Sequence, residues 1–144
     1  MARLRVASPA FAAGGGIPAQ YTCQGQDTPP PLSWEAGPAG TVSYALVVED
    51  PDAPRGTWVH WVVWNIAGNA LPATELTEGR NSWGRSGYGG PCPPSGRHRY
   101  CFRVYALSDR LGLPSTAGKE QLLAAMEGKL LAQGELMGTY QKSK

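Results

Sequence analysis

Between Val47 and Ile66, two apolar runs flank a turn that reads Asp50-Pro-Asp-Ala-Pro-Arg-Gly. Valine and tryptophan dominate the runs and favour strands, while the prolines and aspartates between them favour a turn. Side chains alternate along a strand, so Tyr44, Leu46, Val48 and Asp50 are expected on one face before the turn. After it, Trp58, His60, Val62, Trp64 and Ile66 are expected on one face. Each apolar face carries one ionisable group near the turn, and such a hairpin must bury its apolar side against another layer. Taken alone, this stretch reads equally well as turn chemistry at Asp50 and a satisfied core histidine at His60.

A third run shifts that balance. His98, Tyr100, Phe102, Val104 and Ala106 alternate with Arg99, Cys101, Arg103 and Tyr105. Three apolar strand faces are thus capped by Asp50, His60 or His98, and packed strands can bring the three groups to one pocket. A rigid loop, Gly90-Pro-Cys-Pro-Pro, precedes the third run.

Composition narrows the function classes. The 144 residues suffice for one ordinary domain, taken as residues 1–144. The 19 glycines and 13 prolines suit short strands and turns. A net charge of +2 gives no nucleic-acid footprint. No run approaches the roughly 18 to 20 apolar residues of a membrane span. The N-terminus lacks the apolar core of a secretory signal, which points to the cytoplasm and to three reduced thiols at Cys23, Cys92 and Cys101.

Along the chain, residues 3–7 read as an edge strand and Ile17 to Gly25 as a short strand. Thr28 to Trp34 is too proline-rich for a central strand. Thr41–Glu49, Thr57–Ile66 and Arg99–Leu107 are the clear strands, and residues 67–97 read as a long loop. Leu122, Leu123, Met126, Leu130 and Leu131 recur at helical spacing, which predicts a helix between about Ala117 and Gln133. Ser115 or Thr116 can cap it, Gly128 can end or bend it, and Leu136 to Gln141 can form a last strand.

The Asp50-Pro-Asp-Ala-Pro turn, Trp58-Val-His-Trp, and Gly90-Pro-Cys-Pro-Pro followed by His98-Arg-Tyr resemble the phosphatidylethanolamine-binding protein family. The branch most similar is the bacterial and archaeal Raf-kinase-inhibitor-like one, so a prokaryotic source is expected. Tyr21-Thr-Cys-Gln-Gly, Pro30-Pro-Leu-Ser-Trp and Glu135-Leu-Met-Gly-Thr-Tyr fit as well, in order over nearly the whole chain. The resemblance implies a mainly β fold, a two-sheet antiparallel β-sandwich with one or two peripheral helices. It also implies a small anion pocket lined by Asp50, His60, Gly90, Pro91, Cys92, Pro93, Pro94, His98 and Tyr100. Asp52, Pro54 and Trp58 would shape its rim. Members bind phosphate, phospholipid head groups or phosphorylated ligands, and some inhibit kinases or proteases. Two stretches, Gly68–Arg80 and Ser95–Arg97, look shorter than usual for the branch, and Lys129 stands where relatives often place a histidine.

The residues themselves support this chemistry. Asp50 can orient one imidazole, Tyr100 can donate its hydroxyl, and the Gly90 and Cys92 amides can add donors that Pro91, Pro93 and Pro94 cannot. The rival reading is a hydrolase or metal-dependent enzyme built on Asp50, His60 and His98. No serine sits in a nucleophile elbow, and no paired metal-ligand motif occurs, so a non-enzymatic binding module without cofactor or metal is expected. A kinase or protease partner and a homodimer complete the expected partners, with Trp61 and Trp83 as the interface candidates.

Overall fold

The computed structural model describes residues 2–143. In chain order its elements are β1 (Ala2–Arg3), β2 (Val6–Ala7), β3 (Leu32–Trp34), β4 (Ser43–Asp50), β5 (Trp58–Ile66), β6 (Ala70–Leu71), β7 (Thr77–Glu78), β8 (His98–Leu107), α1 (Lys119–Met126) and β9 (Leu130–Tyr140). The larger sheet runs β1-β9-β8-β4-β5-β7 and the smaller β2-β3-β6. Among the described residues every named pairing is antiparallel except β1 with β9. The fold is therefore the expected mainly β two-sheet sandwich.

Two apolar layers hold it. Leu46, Val48, Trp61, Val63, Phe102 and Val104 of the large sheet pack against Val6, Leu32, Trp34 and Leu71 of the small one. On the outer face, Ala45, Val47, Val62, Trp64 and Leu107 pack against Leu122 and Met126 of α1. Burial on both faces explains why β4 reads as continuously apolar rather than alternating.

The single-face reading of β5 fails for a local reason. Val48 lies opposite Trp61, whereas Glu49 lies opposite Val59, so His60 is one residue more than β4 can pair. This bulge reverses the alternation. Trp61, Val63 and Ile66 join Tyr44, Leu46 and Val48 in the inter-sheet core, while Val62 and Trp64 face the helix. A second irregularity follows at Asn65, whose φ is 53°. Asparagine tolerates that left-handed conformation better than most residues. Its Nδ2 donates to the Leu111 carbonyl and its Oδ1 accepts from the Leu111 N–H, both at 2.8 Å.

Other expectations shift. Residues 3–7 give two short strands in different sheets, and Ile17 to Gly25 contains a 3-10 turn, Ala19–Tyr21, instead of a strand. β3 starts after the prolines and is the middle strand of its sheet. The long loop contains β6 and β7. The helix is shorter than the spacing predicts: Gly128, at φ 79°, stops it. Leu130 then pairs with Leu107 in β9, so Leu130 and Leu131 belong to a strand. Gly118 is the N-cap instead of Ser115 or Thr116, and the Gln121 side chain accepts its N–H at 2.9 Å. No helix among the described residues is long and apolar enough to cross a membrane.

Replacing Asn65 by Leu removes the partners of two buried Leu111 groups, at about 1 to 3 kcal/mol each, and forces a poorer residue into the φ 53° position. Urea unfolding should show a loss of about 2 to 5 kcal/mol. A loss below about 0.5 kcal/mol would show that the pairing does not hold this corner.

Candidate functional site

β4 lies between β8 and β5, and all three strands bring their polar ends to the same edge of the sheet. Asp50 pairs with Trp58 on one side. On the other, Glu49 pairs with Cys101, so the register carried one residue further sets Asp50 beside Tyr100. The His60 bulge keeps that imidazole on the Asp50 side although its neighbours Trp61 and Val63 turn to the core alternation.

Asp50, His60, His98 and Tyr100 are all buried, between 0% and 8% exposed. They form the floor of an open cleft of about 690 Å³, a size ordinary for small-ligand sites. Ala53, Pro54, Arg55, Gly56, Thr57 and Trp58 make one wall; Ser82, Trp83, Cys92, Pro93 and Pro94 make the other. The expected residues Asp50, Pro54, Trp58, His60, Cys92, Pro93, Pro94, His98 and Tyr100 are thus brought together.

Asp52, Gly90 and Pro91 do not line the cleft. Gly90 donates its N–H to Asp27 Oδ1 at 2.8 Å, so that amide is already occupied. A side chain there would have its Cβ 2.4 Å from both Asp27 Oδ1 and the Tyr21 carbonyl oxygen, which explains the glycine. The Pro91 carbonyl accepts from Cys23 N–H at 3.2 Å. Asp52 accepts from Arg99 Nη2 at 2.7 Å and from Arg99 Nε and N–H at 2.9 Å. The Arg99 hydrogen bonds pull its pKa down to about 2. Its own backbone N–H donates to Asp50 Oδ1 at 2.7 Å, so Asp52 acts on the pocket through the turn backbone.

The two imidazoles are held by different acceptors. His98 Nδ1–H donates to Asp50 Oδ2 at 2.6 Å. His60 Nδ1–H donates to the Gly89 carbonyl at 2.7 Å, and Gly89 N–H returns a bond to the His60 carbonyl at 3.0 Å. Burial lowers the pKa of His60, with the nearby Gly89 carbonyl and Asp50 charge only partly opposing it. Tyr100 stacks edge-to-face on His60 at 5.2 Å between centroids. Its hydroxyl lies beside Asp50 and the Cys92 amide, near enough to feel both but with no well-formed hydrogen bond among the described residues, and burial followed by the Asp50 charge raises its pKa.

Trp83 is the main cleft-lining residue that sequence reasoning placed elsewhere. It is 43% exposed and stands edge-to-face to both Trp58 and His60, with Arg85 over its ring. A Cβ at Gly89 would lie 2.2 Å from the Trp83 ring, so that glycine makes the seat. The Trp83 exposure was legible only as an interface signal. Trp61, the other interface candidate, is 2% exposed and packs on Tyr88.

The reduced-thiol expectation is corrected by the loop packing. Tyr88 Oη–H donates to the Tyr21 carbonyl at 2.7 Å, and together with the Asp27 and Pro91 bonds it draws the Tyr88–Cys92 segment onto Tyr21–Asp27. Cys23 and Cys92 consequently lie 5.5 Å apart at Cα and form a disulfide across a sequence separation of 69. Nothing in that spacing signals the pairing. Cys101 is free and buried, its thiol pushed up to about 11 mainly by desolvation. Alkylation of the unfolded, non-reduced protein should therefore label Cys101 alone, and the native protein should resist labelling. Three labelled cysteines in the non-reduced protein would refute the bond.

The His60 shift sets a pH dependence. Its folded pKa lies below the ordinary 6.5, so the unfolded chain takes the proton first as pH falls. That contribution to stability is complete above 6.5 and is lost as pH drops through 6.5 toward the folded value. Chemical denaturation at about pH 7.5 and 5 should show a steeper loss for the native sequence than for His60→Gln. Equal slopes would remove His60 as the cause.

Comparison with known proteins identifies the family and the fold. The family model for phosphatidylethanolamine-binding protein matches residues 7–141. A UPF0098 protein of Methanothermobacter thermautotrophicus is 44% identical over 92% of this chain and 95% of its own length. A UPF0098 protein of Aquifex aeolicus is 44% identical over 96% of this chain and 89% of its own. Among solved structures, a phosphatidylethanolamine-binding protein homologue from Chlamydia trachomatis superposes with a TM-score of 0.93 at 41% identity, covering 99% of this chain and 100% of that one. Escherichia coli YbcL, described as a member of the mammalian family, gives 0.89 at 31% identity with the same coverage.

Proposed function

The chain belongs to the phosphatidylethanolamine-binding protein family, and on that premise we propose that it is a small-anion binding module whose ligand carries a phosphate-like group. The observation that carries the reading is the Tyr100 hydroxyl, fully buried, with no well-formed hydrogen bond among the described residues, and set in the cleft floor beside two imidazoles whose Nδ1 atoms are already engaged. A buried hydroxyl without a partner costs about 1 to 3 kcal/mol. A ligand oxygen at the floor would recover that cost. The apolar walls from Pro54, Trp58, Trp83, Pro93 and Pro94 suit an organic substituent on the anion.

Control of a kinase or a protease would run through the same cleft, by seating a phosphorylated segment of the partner there. A hydrolytic alternative that used Cys92 of the cleft lining as nucleophile would need a free thiol, and the Cys92 sulfur is bonded to Cys23. The cytoplasmic location read from the N-terminus and the Cys23–Cys92 bond pull in opposite directions, because reducing cytosols keep thiols reduced. We favour a setting in which the bond persists.

Titration calorimetry with inorganic phosphate and phosphoethanolamine tests the reading. His98→Ala should weaken both at least about tenfold; because it also leaves the buried Asp50 carboxylate without its imidazole, the unfolding midpoint should fall, and the titration is run well below that midpoint so that lost binding is not lost folding. Asp50→Ala should weaken phosphoethanolamine more than inorganic phosphate, because it removes the carboxylate that faces the ammonium. Undiminished binding by His98→Ala would place the anion elsewhere.

A further inference from the structure

We propose that the cleft recognises its anion through a shared proton, so that it takes phosphate monoesters, which can bring or gain one hydrogen near neutrality, over isosteric sulfate monoesters, which cannot. This rests on the anion-pocket reading above and names the ligand class of that pocket.

The argument is an inventory of hydrogens. The Gly89 carbonyl can only accept, so the hydrogen in the 2.7 Å contact with His60 sits on Nδ1. The Asp50 carboxylate likewise accepts in the 2.6 Å contact with His98, which puts that hydrogen on Nδ1 too. In each neutral ring Nε2 is then a bare lone pair, and among the described residues neither Nε2 has a hydrogen-bond partner. Asp50 adds no donor: Oδ1 accepts from Asp52 N–H and Oδ2 from His98. Pro93 and Pro94 have no N–H, and the Gly90 amide is held by Asp27. The Tyr100 hydroxyl and the Cys92 N–H beside it are the donors left in the floor. With both rings neutral the floor therefore sets two imidazole lone pairs against two donors, which is the wrong balance for a fully ionised anion.

Charge points the same way. Asp50 faces the ligand from β4, His60 from β5, and His98 and Tyr100 from β8. Asp52 and Arg99 neutralise each other outside the cleft, Asp27 is engaged by the Gly90 amide, and Tyr88 by the Tyr21 carbonyl. The permanent cation in the lining is Arg55, which lies exposed on the turn. No fixed buried cation offsets a dianion set against Asp50. Burial of His60 also favours its neutral, acceptor form.

One hydrogen corrects both mismatches. A phosphate monoester has its second pKa at about 6. As the monoanion it donates P–O–H to one imidazole Nε2 and accepts from Tyr100 through another oxygen. If instead the imidazole carries the hydrogen and the ester binds as the dianion, the complex has the same composition. In either case a dianion binding above neutrality takes one proton from solvent. A sulfate monoester stays ionised and brings none, so it needs a proton placed on a histidine and receives less in return.

The test is titration calorimetry of the intact protein at about pH 8, run in Tris and in triethanolamine, whose heats of ionisation differ and which contain no sulfonate. Phenyl phosphate and phenyl sulfate form one matched pair. Phosphoethanolamine and glycerophosphoethanolamine form a second, which separates a soluble monoester from a phospholipid head group, a diester with no titratable hydrogen on phosphorus. We expect phenyl phosphate to bind at least about tenfold more tightly than phenyl sulfate, and phosphoethanolamine at least about tenfold more tightly than the diester. The buffer difference should report about one proton taken up per monoester bound. Zero uptake overturns the inference whatever the affinities, and so does either pair binding within about threefold; in both cases the anion pocket itself stands. Failure of all four compounds to bind overturns the pocket reading together with the inference.

Discussion

The 2.6 Å contact between His98 Nδ1 and Asp50 Oδ2 joins the ends of the two longest-paired strands around the site, and the cleft depends on it. β4 is flanked by β8 and β5, so Asp50 is the one carboxylate that can reach both imidazole-bearing strands. With His98 fixed on one oxygen and the Asp52 N–H on the other, the Asp50 carboxylate has little freedom to turn. That rigidity fixes the tautomer of His98 and leaves its second ring nitrogen for other chemistry. A ligand then meets a floor already ordered by the fold, so less conformational entropy is lost on binding.

The opposite wall is ordered by a different device. The Gly89–Pro94 loop has no regular structure, yet its first half is pinned by hydrogen bonds: Gly89 by His60, Gly90 by Asp27, Pro91 by Cys23. The disulfide adds a covalent tie at Cys92, next to the two prolines that face the cleft. Loops carry function where a scaffold holds them still, and here the scaffold is a second loop, Tyr21–Asp27. The packing explains why glycine occupies both Gly89 and Gly90, where side chains would collide with Trp83 on one side and Tyr21 on the other.

Legibility in the sequence followed the range of the interaction. Alternation showed β4, β5 and β8, and with them Asp50, His60, His98 and Tyr100, because a period of two is a local property. The bulge at His60 was invisible, since it arises from the register between two strands. The correct face for His60 was therefore reached with the wrong faces for Val62 and Trp64. Leu130 and Leu131 continued a helical spacing that Gly128 had already ended, and pairing with β8 overrode it. The Cys23–Cys92 bond and the engagement of the Gly90 amide needed two distant loops to meet, which no local pattern encodes. Trp83 was visible as an exposed aromatic, but its place at the cleft depends on the seat at Gly89.

Glu49 and Asp50 are consecutive on β4, both buried, and the pleat sends them to opposite sides of the sheet. Glu49 meets two cations: Arg103 from β8 and Lys119, whose ammonium lies 2.5 Å away at the start of α1. A lysine at a helix N-terminus is unfavourable against the macrodipole, and the Glu49 carboxylate offsets that by holding the helix to the sheet. This side of β4 is thereby tied to β8 and to the helix by ion pairs. Asp50 receives no such cation; its partners are an imidazole and a backbone N–H. The same residue chemistry, one position apart, ties the helix to the sheet where it meets two cations and orients an imidazole at the cleft where it meets His98. The strand thus separates the two roles by its geometry, with ion pairs on the helix side and, on the cleft side, hydrogen bonds that hold an imidazole in place.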